Sequence, residues 1–403
     1  LVVLSVPVVT WALYLGGLAL LSWPPRPPVA PSPPTLRFDF VVPAHDEALG
    51  IAATVKSLQE VDYPKDLFRV LVVADNCTDD TAAKAREAGA VVLERQNAEL
   101  RGKGYALAHA FERCLTEGAD AVVVVDADTL VSKNLLSAFA ARLVAGNVAV
   151  QAHYGVQNPN ASWRTRLMRI ALAMFHQVRS IGRERLKVSA GLRGNGMCFR
   201  TSLLREVPHE AYSLVEDLEY GIRLGRRGFR VAYAFDAEVL GEMVSGESAS
   251  RSQRNRWEDG RAQMLKLHGW PLLRDALKLR SGLLFDLAMD VLVPPLSRVV
   301  GFTVLGAVAS AGLLFLTGHG AWASGVYGLA LSALGLYVFA GWLHSGTGLR
   351  GLLDLALAPA YVAWKVVLAF QRPKGQKPGE WVRTTREGET GALAKPERPG
   401  DSP

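Results

Sequence analysis

The polarity pattern changes character three times along the chain, and each change predicts a different kind of element. Residues 1–22, LVVLSVPVVTWALYLGGLALLS, carry no charge and are long enough to cross a bilayer as one helix. A cleaved signal peptide would show a basic start and a small-residue cleavage site. Neither is visible, so 1–22 reads as a transmembrane anchor. Seven prolines in the eleven residues 24–34 predict a stiff, extended linker over 23–35.

Over residues 36–240 short β-branched runs alternate with helical patterns, within a domain expected to span 36–270. Strands are expected at 37–43, 68–74, 91–94, 121–127 and 147–152, with helices near 47–60, 79–89, 103–117 and 133–144. This is the βαβ alternation of an α/β domain with a mostly parallel sheet and helices on both faces. Membrane and interfacial helices are expected over 271–370, and from about 281 the chain is apolar again. Residues 299–317 and 321–343 can each span a membrane. DLAMDVLVPPLS (286–297) carries two acids and a Pro-Pro break, which predicts a kinked or re-entrant piece. Asp354 and Lys365 interrupt 350–370, so an interfacial helix is expected there. The polar, Lys/Arg-rich segment 371–403 reads as a partly disordered cytosolic tail. With the 36–270 domain also cytosolic, an even number of crossings separates the two.

Composition narrows the function classes. A chain of 403 residues exceeds one compact core, and a net charge of +7 suits nucleic acid, anionic lipid or a phosphate-bearing substrate. The basic residues do not gather on one aromatic-rich strand surface, which argues against nucleic acid. Cys77, Cys114 and Cys198 match no metal or redox spacing and read as reduced thiols of a cytosolic domain. An Ala-, Gly- and Arg-rich composition fits a bacterial protein.

In such sheets ligands bind beyond the carboxyl ends of the strands. The first expected strand runs into His45, Asp46 and Glu47, the second into Asp75, and the fourth into Asp126 and Asp128. Residues i and i+2 of an extended segment point the same way. Asp126 and Asp128 would therefore repel unless a hard cation, Mg²⁺ or Mn²⁺, lies between them; the alternatives are an acid pair in a solvated turn and a cap on the following helix. Lys103 sits between two glycines ahead of a helix, as an anion contact or as a solvated lysine. GLRGNGMCFR (191–200) lacks the position of a dinucleotide loop, and its Gly194-Asn195-Gly196 reads as backbone that a ligand can approach closely. Glu216 and Asp217 open a helix, either to complement its dipole or with one of them as a general base. In SQRNRW (252–257), Gln253, Arg256 and Trp257 fall at i, i+3 and i+4 on one helix face, a combination that suits neither core nor solvent.

VVPAHDE, VVADNCTDDT, GKGYAL, VVVDADT, GNGMCFR, VEDLEY and QRNRW occur in this order. The set resembles the membrane-embedded family 2 glycosyltransferases of the polysaccharide-synthase type, to which cellulose, hyaluronan and exopolysaccharide synthases belong. The resemblance implies a GT-A fold with flanking transmembrane and interfacial helices, and inverting transfer of a hexose from a nucleotide-diphosphate sugar, UDP-linked by expectation. It implies nucleotide-sugar contacts at Pro43, Glu47, Asp75, Lys103, Asp126, Gln253 and Arg256. It places the metal on Asp128 with Asp126, the catalytic base on Asp217 beside Glu216, and acceptor contacts at Trp257, Gly194, Asn195 and Gly196. The chain departs from the family's pattern at Ala74, where a first acid is usual, and at His45-Asp46. A polysaccharide or glycan acceptor at the cytosolic face of a bacterial inner membrane is the leading expectation, with membrane lipids alongside and export or polymer-assembly partners possible. A single transfer to a lipid, and an inactive nucleotide-sugar-binding scaffold, are the alternatives.

Overall fold

The computed structural model describes residues 2–24, 29–30, 32–157, 162–241 and 258–359. The SQRNRW face, with Gln253, Arg256 and Trp257, lies outside the described residues, as does the 371–403 tail. The strands are β1 Phe38–Ala44, β2 Phe68–Asp75, β3 Val91–Arg95, β4 Ala121–Val124, β5 Thr129–Val131, β6 Ala149–Val156, β7 Met197–Arg200 and β8 Ala232–Gly241. They form one eight-stranded sheet in the order β3-β2-β1-β4-β7-β6-β8-β5.

The first four strands pair in parallel as the periodicity predicts. The sheet as a whole is mixed, because β7 runs antiparallel to both β4 and β6, and β5 runs antiparallel to β8. β1 extends past the end of β4, so Pro43, which has no N–H, lies where β1 has only β2 beside it.

Alternate residues of the central strands feed two cores. Phe40, Val42, Val72 and Val123 pack on one face against helix α2 (Ile51–Gln59) and helix α5 (Leu135–Val144). Val41, Leu71, Val73, Val122 and Val124 pack on the other against helix α4 (Lys103–Thr116). Each fully buried side chain of this size contributes about 1.5–3 kcal/mol. The short helix α3 (Thr81–Glu87) completes the parallel half.

Two helices not evident from the polarity pattern, α6 (Trp163–Leu172) and α7 (Arg179–Arg185), run on through a π-helical turn, Ala173–Val178. After α8 (Thr201–Glu206) and α9 (Glu216–Arg226) come α10 (Trp270–Leu279) and α11 (Gly282–Leu292). Ile222 of α9 packs with Leu272 of α10 and with Leu284 and Leu287 of α11, so this pair of helices lies on the α/β domain. The acids of the 286–297 stretch therefore face arginines of α7. The Pro-Pro break falls after α11, as expected.

Helices α12 (Leu296–Thr317) and α13 (Ala321–Ser345) are long and apolar enough to cross a membrane and contain the two expected spans. Helix α1 (Val2–Leu21) lies along α13 so closely that a Cβ on Gly16 would sit 2.8 Å from the Cβ of Ala333. Gly306 of α12 likewise meets the Tyr327 ring. Helix α14 (Gly348–Leu355) covers the first part of the expected interfacial segment, and its Asp354 pairs with Arg166 of α6.

Candidate active site

The carboxyl ends of β1, β2 and β4 bring His45, Asp75 and Asp126 to one edge of the sheet. β4 stops at Val124, so Asp126 and Asp128 stand in the turn leading to β5. Buried Ala127 separates the two half-buried acids. Both carboxylates act on the Tyr154 hydroxyl of β6, whose pKa is raised first by burial and then by these two charges. Two oxygen donors converging from one turn suit a hard divalent cation. A second acid group, Asp46 and Asp79 with Cys77, has its ligand atoms within 4.8 Å of one another. Its oxygens already serve the loops: Asp46 Oδ1 accepts from the Thr78 N–H at 2.6 Å, and Asp79 Oδ1 accepts from the Thr81 N–H at 3.0 Å.

Lys103 is the hub. Its ammonium donates to Asp126 Oδ1 at 2.5 Å and to the Gly194 carbonyl at 2.6 Å, and stands 3.5 Å from Glu216 Oε1. An ammonium has three protons, and three acceptors surround it. The solvated reading of this lysine is thereby excluded. Both flanking glycines have a physical reason. Gly102 caps α4 at φ +122°, a region open essentially to glycine. A Cβ on Gly104 would lie 2.1 Å from the Ala211 carbonyl oxygen, so only glycine lets the first turn of α4 approach that loop.

Glu216 and Asp217 begin α9 with both side chains turned inward. Burial, opposed by Lys103 and reinforced by Asp217, pushes Glu216 up to about 7. Burial also raises Asp217, against its hydrogen bond from the Leu218 N–H at 2.8 Å and the charge of Lys103. A Cβ on Gly194 (φ +78°) would sit 3.5 Å from Asp217 Oδ2 and 3.6 Å from the Lys103 ammonium. The glycine-rich loop thus leaves an approach to Asp217. Asn195 behaves differently from its neighbours. It is fully buried, accepts from the Asp126 N–H at 3.1 Å and donates to Thr129 Oγ1 at 2.8 Å. Its side chain braces the Asp126–Asp128 turn and is turned away from the open side of the loop. Gly196 (φ +70°) packs on Val239 and Ala152. Gln151, absent from the sequence reading, binds this loop from beneath: its Nε2 donates to the Asn195 carbonyl at 2.7 Å and its Oε1 accepts from the Arg193 N–H at 2.9 Å.

Toward β2 and β3, Asp75 is buried and bound by Arg95 at 2.6 Å. His45 Nδ1 donates to the Asp75 carbonyl at 2.7 Å, since a carbonyl can only accept. Glu47 lies above α3, its N–H bound to Thr81 Oγ1 at 2.7 Å. Arg95 also faces the Tyr105 ring, which stacks on Tyr212 at 4.2 Å and 9°. The structure therefore gathers Asp126, Asp128, Lys103, Gly194, Glu216 and Asp217 at one place. Pro43, Glu47 and Asp75 line the adjoining strand ends.

Residues 33–260 match the family model described as glycosyltransferase-like family 2. Over 269 residues the chain is 30% identical to a β-monoglucosyldiacylglycerol synthase of Synechocystis sp., covering 62% of this chain and 54% of that one. It is 25% identical over 280 residues to the UDP-forming cellulose synthase catalytic subunit of Pseudomonas fluorescens, covering 66% and 36%. The chain thus spans about half the length, or less, of these curated relatives. Among solved structures it resembles a mannosyltransferase from Pyrobaculum calidifontis in complex with GDP-Man and Mn²⁺. The TM-score is 0.50 at 19% identity, covering 91% of this chain and 94% of that one. This likeness establishes the GT-A type of α/β fold.

Proposed function

The chain belongs to glycosyltransferase-like family 2, and from that premise we propose that it is an inverting hexosyltransferase. It takes the sugar from a nucleotide-diphosphate donor and passes it to an acceptor presented at the cytosolic face of a membrane. The observation that carries this reading is the convergence of Lys103, Asp126, Glu216 and Asp217 around the approach left by Gly194.

The acceptor hydroxyl loses its proton to Asp217 as its oxygen attacks the anomeric carbon. A new carbon–oxygen bond forms, the bond to the diphosphate breaks, and the nucleoside diphosphate leaves with the bonding pair. Attack from the face opposite the leaving group inverts the anomeric centre. Lys103 and the N-terminus of α4 offset the charge that collects on the diphosphate. Mg²⁺ or Mn²⁺ on Asp128 and Asp126 would add further neutralisation of that charge. Asp75 with Arg95, and Pro43 with Glu47, border the nucleoside. Gln253, Arg256 and Trp257 belong to the same reading through the family pattern, as contacts to diphosphate and acceptor.

The membrane helices favour a lipid acceptor over a growing polymer. Helices α1, α12 and α13 pack with glycine-mediated contacts at Gly16 and Gly306, which suits an anchor better than a lined conduit. Polymer extension is the second reading, supported by the likeness to cellulose synthase. Mass analysis of the product made by the purified chain separates them. A product one sugar heavier than a lipid acceptor supports the first, and a ladder of sugars replaces it with the second. Absence of nucleotide release across a panel of nucleotide sugars with Mg²⁺ and Mn²⁺ would leave a binding scaffold.

A further inference from the structure

Four guanidiniums meet where α7, the 190–196 loop and the helical residues 258–264 face α11, and two carboxylates of α11 answer them. Arg183 is fully buried. It lies 2.8 Å from Asp290 Oδ1 and 3.2 Å from Asp286 Oδ2, and donates to the Tyr14 hydroxyl at 2.8 Å. Arg179 donates to the Tyr337 hydroxyl at 2.9 Å and to Asp290 Oδ1 at 3.3 Å. These two cations with Asp286 and Asp290 make a balanced clamp between the α/β domain and the apolar helices.

Arg193 and Arg261 are the excess. Arg193 Nη1 stays 3.9 Å from Asp290 Oδ2, and Nη2 donates to the Ala190 carbonyl at 3.0 Å. The Arg193 side chain is 5% exposed, and its buried Nε has no acceptor among the described residues. Arg261 donates to the Asp290 backbone carbonyl. Both lie against the Phe175 ring, at 4.4 and 5.6 Å from its centroid, and Arg179 shares that ring at 4.9 Å. One aromatic ring cannot offset the desolvation of three guanidiniums. Burial accordingly pushes Arg193 down to about 10 and lowers Arg261, against the pull of Asp290. The next negative group within reach of both is Asp217.

We propose that Arg193 and Arg261, flanking Phe175, hold the phosphate group of an anionic acceptor and so set its hydroxyl before Asp217. This deepens the glycosyltransferase reading above and rests on it. Arg193 adjoins Gly194, whose missing side chain opens the 3.5 Å approach to Asp217 Oδ2. A phosphate held at Arg193 therefore leaves a hydroxyl a few bonds away within reach of the base. Guanidinium forks match phosphate oxygens in pairs, which an uncharged sugar or diacylglycerol cannot use. The phosphate has two possible sources, a lipid headgroup entering beside α11 or a soluble phosphate ester.

The test uses the full chain in detergent micelles. Phosphatidic acid is compared with diacylglycerol, its phosphate-free counterpart, and with glycerol 3-phosphate. Binding is read as the rise in melting midpoint with added ligand, and stimulation by glycerol 3-phosphate, the probe that carries both a phosphate and free hydroxyls, as nucleotide release. Phosphatidic acid or glycerol 3-phosphate is expected to bind and diacylglycerol is not. Arg193→Gln and Arg261→Gln are each expected to weaken phosphate binding about tenfold, and Arg193→Lys to restore part of it. Displacement of phosphatidic acid by glycerol 3-phosphate assigns the site to a soluble ester; binding by the lipid alone assigns it to a headgroup. Equal binding of phosphatidic acid and diacylglycerol, or unchanged phosphate affinity in both glutamine variants, overturns the proposal. The Arg261 variant keeps the test decisive if the Arg193 variant does not fold. The binding arm does not need turnover, so a failure of the glycosyltransferase reading is recognised separately, as absence of nucleotide release from every donor.

Discussion

The Lys103 ammonium lies 2.5 Å from Asp126 Oδ1 and links the turn after β4 to the start of α9, where Glu216 stands 3.5 Å away. Without this cation, Asp126, Glu216 and Asp217 would share one small volume with no ammonium between them, and only Asp217 would keep a cation, Arg193, within reach. Lys103→Met is expected to lower nucleotide release from the donor by about 100-fold, the scale for losing one preorganised electrostatic contact. Lys103→Arg should rescue poorly, because a planar fork cannot meet three acceptors arranged around a point. Steady-state kinetics of the two variants check both statements.

Gly104→Ala tests whether the position of that lysine depends on backbone proximity. The added methyl would meet the Ala211 carbonyl at 2.1 Å, so α4 must move away and carry Lys103 with it. Activity should drop at least tenfold, in the direction of Lys103→Met, although no charge changes. A variant as active as the parent would place the ammonium's constraint elsewhere.

The pH dependence of stability follows from Glu216. Its carboxyl rises from an ordinary value of 4.5 to about 7 in the fold. Between those values the folded state holds a proton that the unfolded chain has released. Stability is therefore highest at the acid end of this window, falls as pH rises through it, and levels off above about 7. Asp217, also raised, acts in the same direction. Glu216→Gln should make the slope shallower without abolishing it, as read from melting midpoints in steps of pH.

Much of the parallel half was legible because its signals are local. Alternating β-branched residues place β1 to β4, and the acids that end those strands reach one edge as strand polarity requires. What escaped the reading depends on partners far away in the chain. The stretch 163–185 carries six arginines, which hides its helices. Arg179 and Arg183 find their acids about a hundred residues later, on α11. β7 is four residues long and follows a glycine-rich loop, so its antiparallel insertion between β4 and β6 left no periodic trace. Asn195 looked like an open loop residue, and only the packed turn beneath it reveals a buried brace.

The clamp between the α/β domain and the apolar helices should be sensitive to its central cation. Arg183→Met leaves Asp286 and Asp290 buried without their main partner, and a loss of about 3–5 kcal/mol is expected. Arg86→Met, which breaks the exposed pair with Glu94, should cost less than about 1 kcal/mol. Melting midpoints of the two variants should differ accordingly.

The central claim is that Asp217 removes the acceptor proton in transfer from a nucleotide sugar. It is tested most directly by comparing Asp217→Asn with the parent in two readings on the same preparation, donor affinity and sugar transfer. The geometry predicts donor binding within a few-fold of the parent and transfer reduced by about 100-fold or more. Near-normal transfer in Asp217→Asn would contradict the assignment.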